Sequence, residues 1–369
     1  MEAKLQNILE KIQPVDREAM DRARAYQAML AKPPGSLGKL EEIAVQLAGI
    51  TGRIKNRVEK KRIVVLCADN GVIEEGVSVT PRSVTAAQAV NMTKHLTGMS
   101  SMAQHFGNEI VVVDVGIADP YDCAEIVDRK IAPGTRNLLH EPAMTREQAV
   151  RAILTGVEQA ERAKADGVQV VGVGEMGIGN TTTSAAVLSA LTGLPVEAVT
   201  GRGGGLTDEA FSRKKSVIEA ALARAKPDRA DVAGILSEVG GFDLAAMCGV
   251  FLGCALVRLP VVIDGFISIV AALCAARLNP AAAGYLLPSH ASYEVGYMAA
   301  AKELGIDPWL LLNMRLGEGS GCPIAFEVIS AACAVMNDMA TFAGAEINDG
   351  YLEEIREKDC FSVEPARAL

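Results

Sequence analysis

Aromatic residues are scarce in this 369-residue chain, at 4%. That argues against a stacking surface for single-stranded nucleic acid. Basic charge is not in excess either: 36 Lys and Arg against 45 Asp and Glu leave a formal charge of −9, and no basic stripe stands out. A nucleic-acid footprint is therefore not expected. A small anionic substrate stays open, because a few local donors override a global field. The eight cysteines (67, 123, 248, 254, 274, 322, 333 and 360) form no Cys-x-x-Cys pair, and the four histidines lack zinc-ligand spacing. The expectation is buried free thiols in a reducing cytosol and no protein-held metal. The opening MEAKLQNILEKIQPVD lacks the apolar core of a signal peptide. In the most apolar region, Ala245 to Leu278, Arg258, Pro260 and Asp264 interrupt the run, leaving neither half long enough to span a bilayer. A cytoplasmic location is expected.

What is present suits a compact core: half the residues are hydrophobic and 22% are charged. The length suggests one large domain with an appendage. Abundant Ala and Gly imply close packing of helix against sheet. Short apolar runs recur, each ending in a polar loop: RIVVLCAD (62–69), EIVVVDVG (109–116), VQVVGVGE (168–175), LPVVIDG (259–265), AGYLLPS (283–289) and WLLLNMRLGE (309–318). Apolar residues on both alternating faces mark strands covered on both sides of a parallel sheet. Helical patterns lie between them at 84–106, 145–166, 180–192, 208–225, 243–258, 266–278, 291–304 and 323–342. The alternation predicts an α/β fold. Residues 31–322 are expected to form the large α/β domain. Residues 1–30 with 323–369 are expected to form a smaller helical one, with 353–358 as a solvated helix face.

Ligands of open α/β sheets bind beyond the carboxyl ends of the strands. Those ends carry Asp69, Asp114, Glu175, Asp264, Ser289 with His290, and Glu318. Asp and Ser are ordinary cap residues there, whereas Glu is a poor cap. Three loops could carry chemistry. In VGVGEMGIGNTTTSAAVLSAL (171–191), a glycine turn runs into Asn180, Thr181, Thr182 and Thr183 at a helix start, a combination that binds phosphate without lysine. The same residues serve equally as a tight turn with its cap. Gly172, Gly174 and Gly177 also match Gly-x-Gly-x-x-Gly, a dehydrogenase signal weakened by Glu175 inside the turn. In GRGGGLTDE (201–209), Gly203 and Gly205 belong to a loop able to wrap a phosphate, to which Arg202 could add charge, or to a connector ahead of a helix cap at Thr207. In RLGEGSGCP (315–323), Glu318 sits between glycines, where desolvation would suit it to general-base work, or where it is an exposed turn acid. KPPGSLGKLE (32–41) either clamps a ligand or joins helices, and the long loop at 69–88 is of a length often found at binding sites.

These loops, with CADNGVIEEGVSVTP, VVIDGFISIVAAL, PSHASYE and RLGEGSGCPIAF in one order, resemble the nicotinate-nucleotide–dimethylbenzimidazole phosphoribosyltransferase family from Pro33 to about Gly344. The resemblance implies a Rossmann-like, three-layer α/β/α domain with a mostly parallel sheet, a small helical domain, and a homodimer without cofactor. It implies transfer of the 5-phosphoribosyl group from nicotinate mononucleotide to 5,6-dimethylbenzimidazole, giving α-ribazole 5′-phosphate and nicotinate. By motif, Glu318 matches the family's catalytic carboxylate and Glu175 a second active-site acid. Gly177, Asn180, Thr181, Gly203 and Ser292 fall where the family holds the nucleotide, with Thr182 and Gly205 beside them. Thr80, Gln88 and Leu316 fall where it encloses the base. Thr80 stands where the family carries serine, and the hydroxyl is kept. The alternatives are a nicotinamide-dependent dehydrogenase and a non-catalytic paralogous subunit, the latter opposed by the two retained acids.

Overall fold

The Val- and Ile-rich runs form the strands β1 (Lys61–Ala68), β2 (Glu109–Gly116), β3 (Val127–Asp128), β4 (Val170–Met176), β5 (Val261–Ile263) and β6 (Leu286–Pro288) of the computed structural model, which describes residues 1–358. They pair, all parallel, in one sheet ordered β3-β2-β1-β4-β5-β6. Parallel neighbours need crossover connections, and helices supply them, in a Rossmann-like α/β arrangement. The helices Phe242–Leu256 and Phe266–Leu278 are apolar all round and almost wholly buried, as interior helices are.

Glycine decides how closely these elements approach. The helices Arg146–Ala165 and Phe242–Leu256 meet where a Cβ on Gly156 would lie 1.9 Å from the Ala246 carbonyl oxygen, and one on Gly249 1.9 Å from that of Ile153. In β4, a Cβ on Gly172 would lie 2.6 Å from Cβ of Cys322, and one on Gly174 2.3 Å from the backbone oxygen of Glu318. The glycines of VVGVGEM thus let the 318–322 segment lie directly on the sheet.

Two expectations change. Residues 309–318 do not form a strand. They make an isolated parallel bridge, His290 with Leu310, and then run as an extended strap on which Leu311, Leu312 and Leu316 are exposed. An apolar run reads as a buried strand, but here the sheet ends at β6 and the three leucines stay about half or more exposed. The helical pattern at 84–106 breaks into Val84–Thr93 and Gly98–His105, separated by His95 in the left-handed region and a new cap, Thr97, with Ser100 completing a capping box. The helices expected at 180–192, 208–225 and 266–278 have those bounds.

The chain divides into two compact units. The larger holds Met1–Pro14 and Lys60–Phe326, a grouping that differs from the one expected. The Glu2–Lys11 helix and its exit are tied into it by bonds from the Asn279 amide to the Leu9 carbonyl (2.7 Å) and from the Tyr285 hydroxyl to the Gln13 carbonyl (2.8 Å). The smaller takes Val15–Glu59 and the chain from Glu327 onward. In it, Arg17–Met29 and Lys39–Thr51 pack at Gly49. The KPPGSLGKLE segment joins them, closed by a buried Lys32–Glu41 ion pair at 2.8 Å. Of the segment from 353, Glu353–Lys358 is helical, and Cys360 and the rest lie outside the described residues.

Gly156→Ala is expected to destabilise the large unit by about 1–3 kcal/mol, because a methyl cannot fit against the Ala246 carbonyl without parting two helices. Chemical denaturation read by circular dichroism checks this.

Candidate active site

Strand order reverses between β1, which leads outward to β2 on one side, and β4 on the other. A crevice opens there, beyond the carboxyl ends of the strands. A cavity of about 1050 Å³ occupies it. Its walls bring together Thr80, Gln88, Glu175, Gly177, Asn180, Thr181, Gly203, Gly205, Ser292, Leu316 and Glu318, which are dispersed over more than 230 residues of sequence. Thr182, also placed beside the nucleotide by the resemblance, does not line it. One step further along the Asn180–Thr192 helix, it turns into the core, fully buried.

Two acids face each other across the β4 end. Glu318 is 6% exposed and held in the left-handed region (φ 65°), between Gly317 (82°) and Gly319 (90°). Its Oε2 accepts the Met99 amide N–H at 3.1 Å, at the positive N-terminal end of the Gly98–His105 helix. Its own N–H donates to Glu175 Oε1 at 3.2 Å. Glu175 Oε2 accepts from the Asn180 side-chain amide, which also donates to Asp243 Oδ2 at 3.2 Å. Burial, and then the nearby Asp243, push Glu175 up to about 8, and burial pushes Asp243 up to about 6. Two buried carboxyls joined by one amide do not both ionise readily, and burial holds both above the usual carboxylate range.

Elsewhere the cavity is lined by Thr181 and the glycine loop, with Lys214 buried behind them. Lys214, with no exposed surface, donates to the Thr181 hydroxyl (2.9 Å) and the Gly201 carbonyl (3.1 Å). Burial lowers its ammonium to about 8. Since Thr181 accepts from Lys214, its own O–H is left to donate to a ligand. Gly203 (φ 54°) and Gly205 (φ 112°) expose backbone beside it. Asn180 is committed to the two carboxyls, so of the Asn-Thr pair it is Thr181 whose O–H is left to donate into the cavity. Arg202 turns to Leu206 O and Asp208 and stacks on Phe211, which leaves Lys214 as the nearby buried cation. Lys214 is absent from the sequence candidates, although a signal exists: with Val217, Ile218 and Ala221 it falls on the buried stripe of its helix. Asp114 has a structural role, accepting from the Gly116 and Ile117 amides and from Tyr121.

The dinucleotide fingerprint does not form. Gly172 and Gly174 lie inside β4, pressed against Cys322 and the Glu318 backbone, and only Gly177 belongs to the turn before the helix. A pyrophosphate loop needs its glycines in that turn.

A family model described as a phosphoribosyltransferase matches residues 12–347. The nicotinate-nucleotide–dimethylbenzimidazole phosphoribosyltransferase of Clostridium perfringens (strain ATCC 13124) is 49% identical over 97% of this chain and 99% of its own length. That of Clostridium tetani (strain Massachusetts / E88) is 47% identical over 96% of this chain and 98% of its own. The crystal structure of CobT from Thermus thermophilus superposes with a TM-score of 0.87 at 40% identity, covering 90% of this chain and 100% of that one.

With Glu175 raised, the native state holds a proton that the unfolded chain releases, so this group's contribution to stability falls as pH rises from about 4.5 to about 8. Asn180→Asp puts a third carboxyl into the cluster. Its melting temperature is expected to fall more steeply between pH 6 and pH 8 than that of the wild type; parallel slopes would contradict the coupling.

Proposed function

This chain belongs to the nicotinate-nucleotide–dimethylbenzimidazole phosphoribosyltransferase family, and on that premise we propose how its cavity moves the 5-phosphoribosyl group of nicotinate mononucleotide to 5,6-dimethylbenzimidazole or a related base. The products are α-ribazole 5′-phosphate and nicotinate, in assembly of the lower ligand of cobalamin-type cofactors. The observation that carries the assignment of sites is that Thr181, whose hydroxyl the buried Lys214 holds at 2.9 Å, lines the same cavity as Glu318.

The 5′-phosphate sits against the Thr181 hydroxyl and the glycine loop at Gly203 and Gly205, with the buried Lys214 charge behind Thr181, Gly177 allowing close approach and Ser292 beside the ribose. Thr182 supports the helix from within. The flat base lies between Thr80, Gln88 and Leu316, in a slot whose apolar lining includes Val84 and Ile178. The substrate's ring nitrogen is quaternary, so nicotinate leaves with the glycosidic electron pair and needs no proton. The benzimidazole attacks C1′ through one nitrogen from the opposite face, inverting β to α, and its other nitrogen loses a proton. Glu318 accepts that proton through Oε1, since Oε2 is held by the Met99 amide. The Glu175 carboxyl, which accepts from the Glu318 N–H and the Asn180 side-chain amide, lies beside the position where C1′ becomes electron-poor, and in its ionised form it offsets the charge that develops there. Holding both rings in line supplies much of the rate.

The exposed apolar strap residues Leu311 and Leu312, on a segment joined to Tyr293 by the Tyr293 N–H to Met314 carbonyl bond (2.9 Å), support self-association as a homodimer. Buried thiols support residence in the cytoplasm: none of the seven described cysteines is in a disulfide, and all but Cys123 are buried. Nothing in this reaction calls for a cofactor or a metal.

The purified chain is expected to form α-ribazole 5′-phosphate from the two substrates, and Glu318→Gln to keep the fold and lower kcat by about 10²–10⁴-fold. Near-wild-type turnover at saturating base would remove Glu318 from the mechanism. Lys214→Met is expected to raise the KM for the nucleotide with little effect on that for the base. Because the Lys214 ammonium is lost above about 8, wild-type nucleotide affinity should weaken from pH 7 to pH 9, and that of Lys214→Met should stay flat. Calorimetric titration at the two pH values checks both.

A further inference from the structure

We propose that Asp264 is a positioning residue for this reaction: by accepting two backbone amides just after Glu318, its carboxylate fixes the left-handed turn that aims the general base. The inference rests on the assignment of Glu318 made above. Asp264 follows β5 and is 2% exposed. Its Oδ2 accepts the Gly319 N–H at 3.0 Å and its Oδ1 the Gly321 N–H at 2.6 Å. Together with the Glu318 N–H on Glu175, three amides of the 317–321 segment are therefore turned onto two carboxyl groups from adjacent strands. Successive amides converging in this way make a concavity for an anion, and here the protein fills it with its own side chain.

The turn needs such a tether. Gly317, Glu318 and Gly319 are consecutive residues in the left-handed region, and Glu318 carries a side chain that disfavours it. Asp264 is itself fixed along its backbone. Its N–H donates to the Ser268 hydroxyl at 3.1 Å, and its carbonyl accepts from the Ser289 hydroxyl at 3.1 Å. His290, whose Nδ1 lies 3.1 Å from the same Ser289 hydroxyl, covers the carboxylate at 3.9 Å. An anchored carboxylate aimed at amides on one side of the base, with the Met99 amide on its carboxyl group, leaves Glu318 one orientation.

Asp264→Asn keeps the shape but turns an NH₂ toward one of the two amides, which frees that end of the turn. The test is a double-mutant cycle on the full chain with nicotinate mononucleotide and dimethylbenzimidazole. Asp264→Asn is expected to lower kcat at least 50-fold while changing the nucleotide KM less than threefold. In a Glu318→Gln background, the same substitution should cost less than threefold further, because the group it aims is already gone. Circular dichroism melting and calorimetric nucleotide binding establish that each variant is folded; should Asp264→Asn not fold, Asp264→Ser, which admits water to bond the amides, replaces it in the same cycle. Wild-type-like kcat in Asp264→Asn, or an equal loss in both backgrounds, overturns the positioning role while leaving Glu318 as base. Wild-type-like turnover in Glu318→Gln overturns the base assignment and this proposal with it.

Discussion

Carboxyl groups kept out of water at the end of a parallel sheet are the constraint on which the rest of this structure turns. Glu175, Asp243 and Asp264 are each at most 6% exposed, and burial raises all three, to about 8, 6 and 7 respectively. Such groups are tolerated only where donors meet them. The donors are almost all built from backbone: the amides of Glu318, Gly319 and Gly321, with the Asn180 side chain between Glu175 and Asp243. The fold thus supplies amides at fixed positions, and the acids in turn dictate the path of the 317–321 segment.

That mutual dependence explains glycine usage that composition alone leaves unexplained. Gly172 and Gly174 are bare because the segment carrying Glu318 lies on them, and Gly317 and Gly319 are glycines because the turn is left-handed on both sides of the base. The two sets are some 140 residues apart in sequence and act as one packing unit. On the other wall the electrostatics are inverted. Lys214 lies buried on an otherwise apolar helix face, lowered by its surroundings and held by a hydroxyl and a carbonyl, so that a bound phosphate would restore its full charge. On the proposed roles, the cavity separates a place for fixed negative charge on the substrate from a place where a proton is removed.

Most of the scaffold was legible in the residues. Val- and Ile-rich runs located five of the six strands, and Thr207 and the glycine turn before Asn180 announced helix starts. The two-residue strand β3 left no periodic trace, and the leucine-rich strap at 309–318 mimicked a buried strand because hydrophobicity does not say which surface covers it. In the site, Glu175, Glu318 and Thr181 stood out through their glycine neighbours and strand-end positions. Lys214 did not, because its signal is a cation on a buried helical stripe within the charged run RKK. Asp264 was visible as a strand-end acid, but its task depends on amides more than 50 residues away. The commitment of Asn180 to two carboxyls was invisible for the same reason: Asp243 lies 63 residues downstream.

The most direct measurement is a crystal structure of the protein with nicotinate mononucleotide and a benzimidazole bound together. The account predicts the 5′-phosphate against Lys214 and Thr181, and a ring nitrogen of the base within about 3.2 Å of a Glu318 carboxylate oxygen. A phosphate seated away from Lys214, or a base whose nitrogens face no glutamate while Glu318 turns outward, would contradict it.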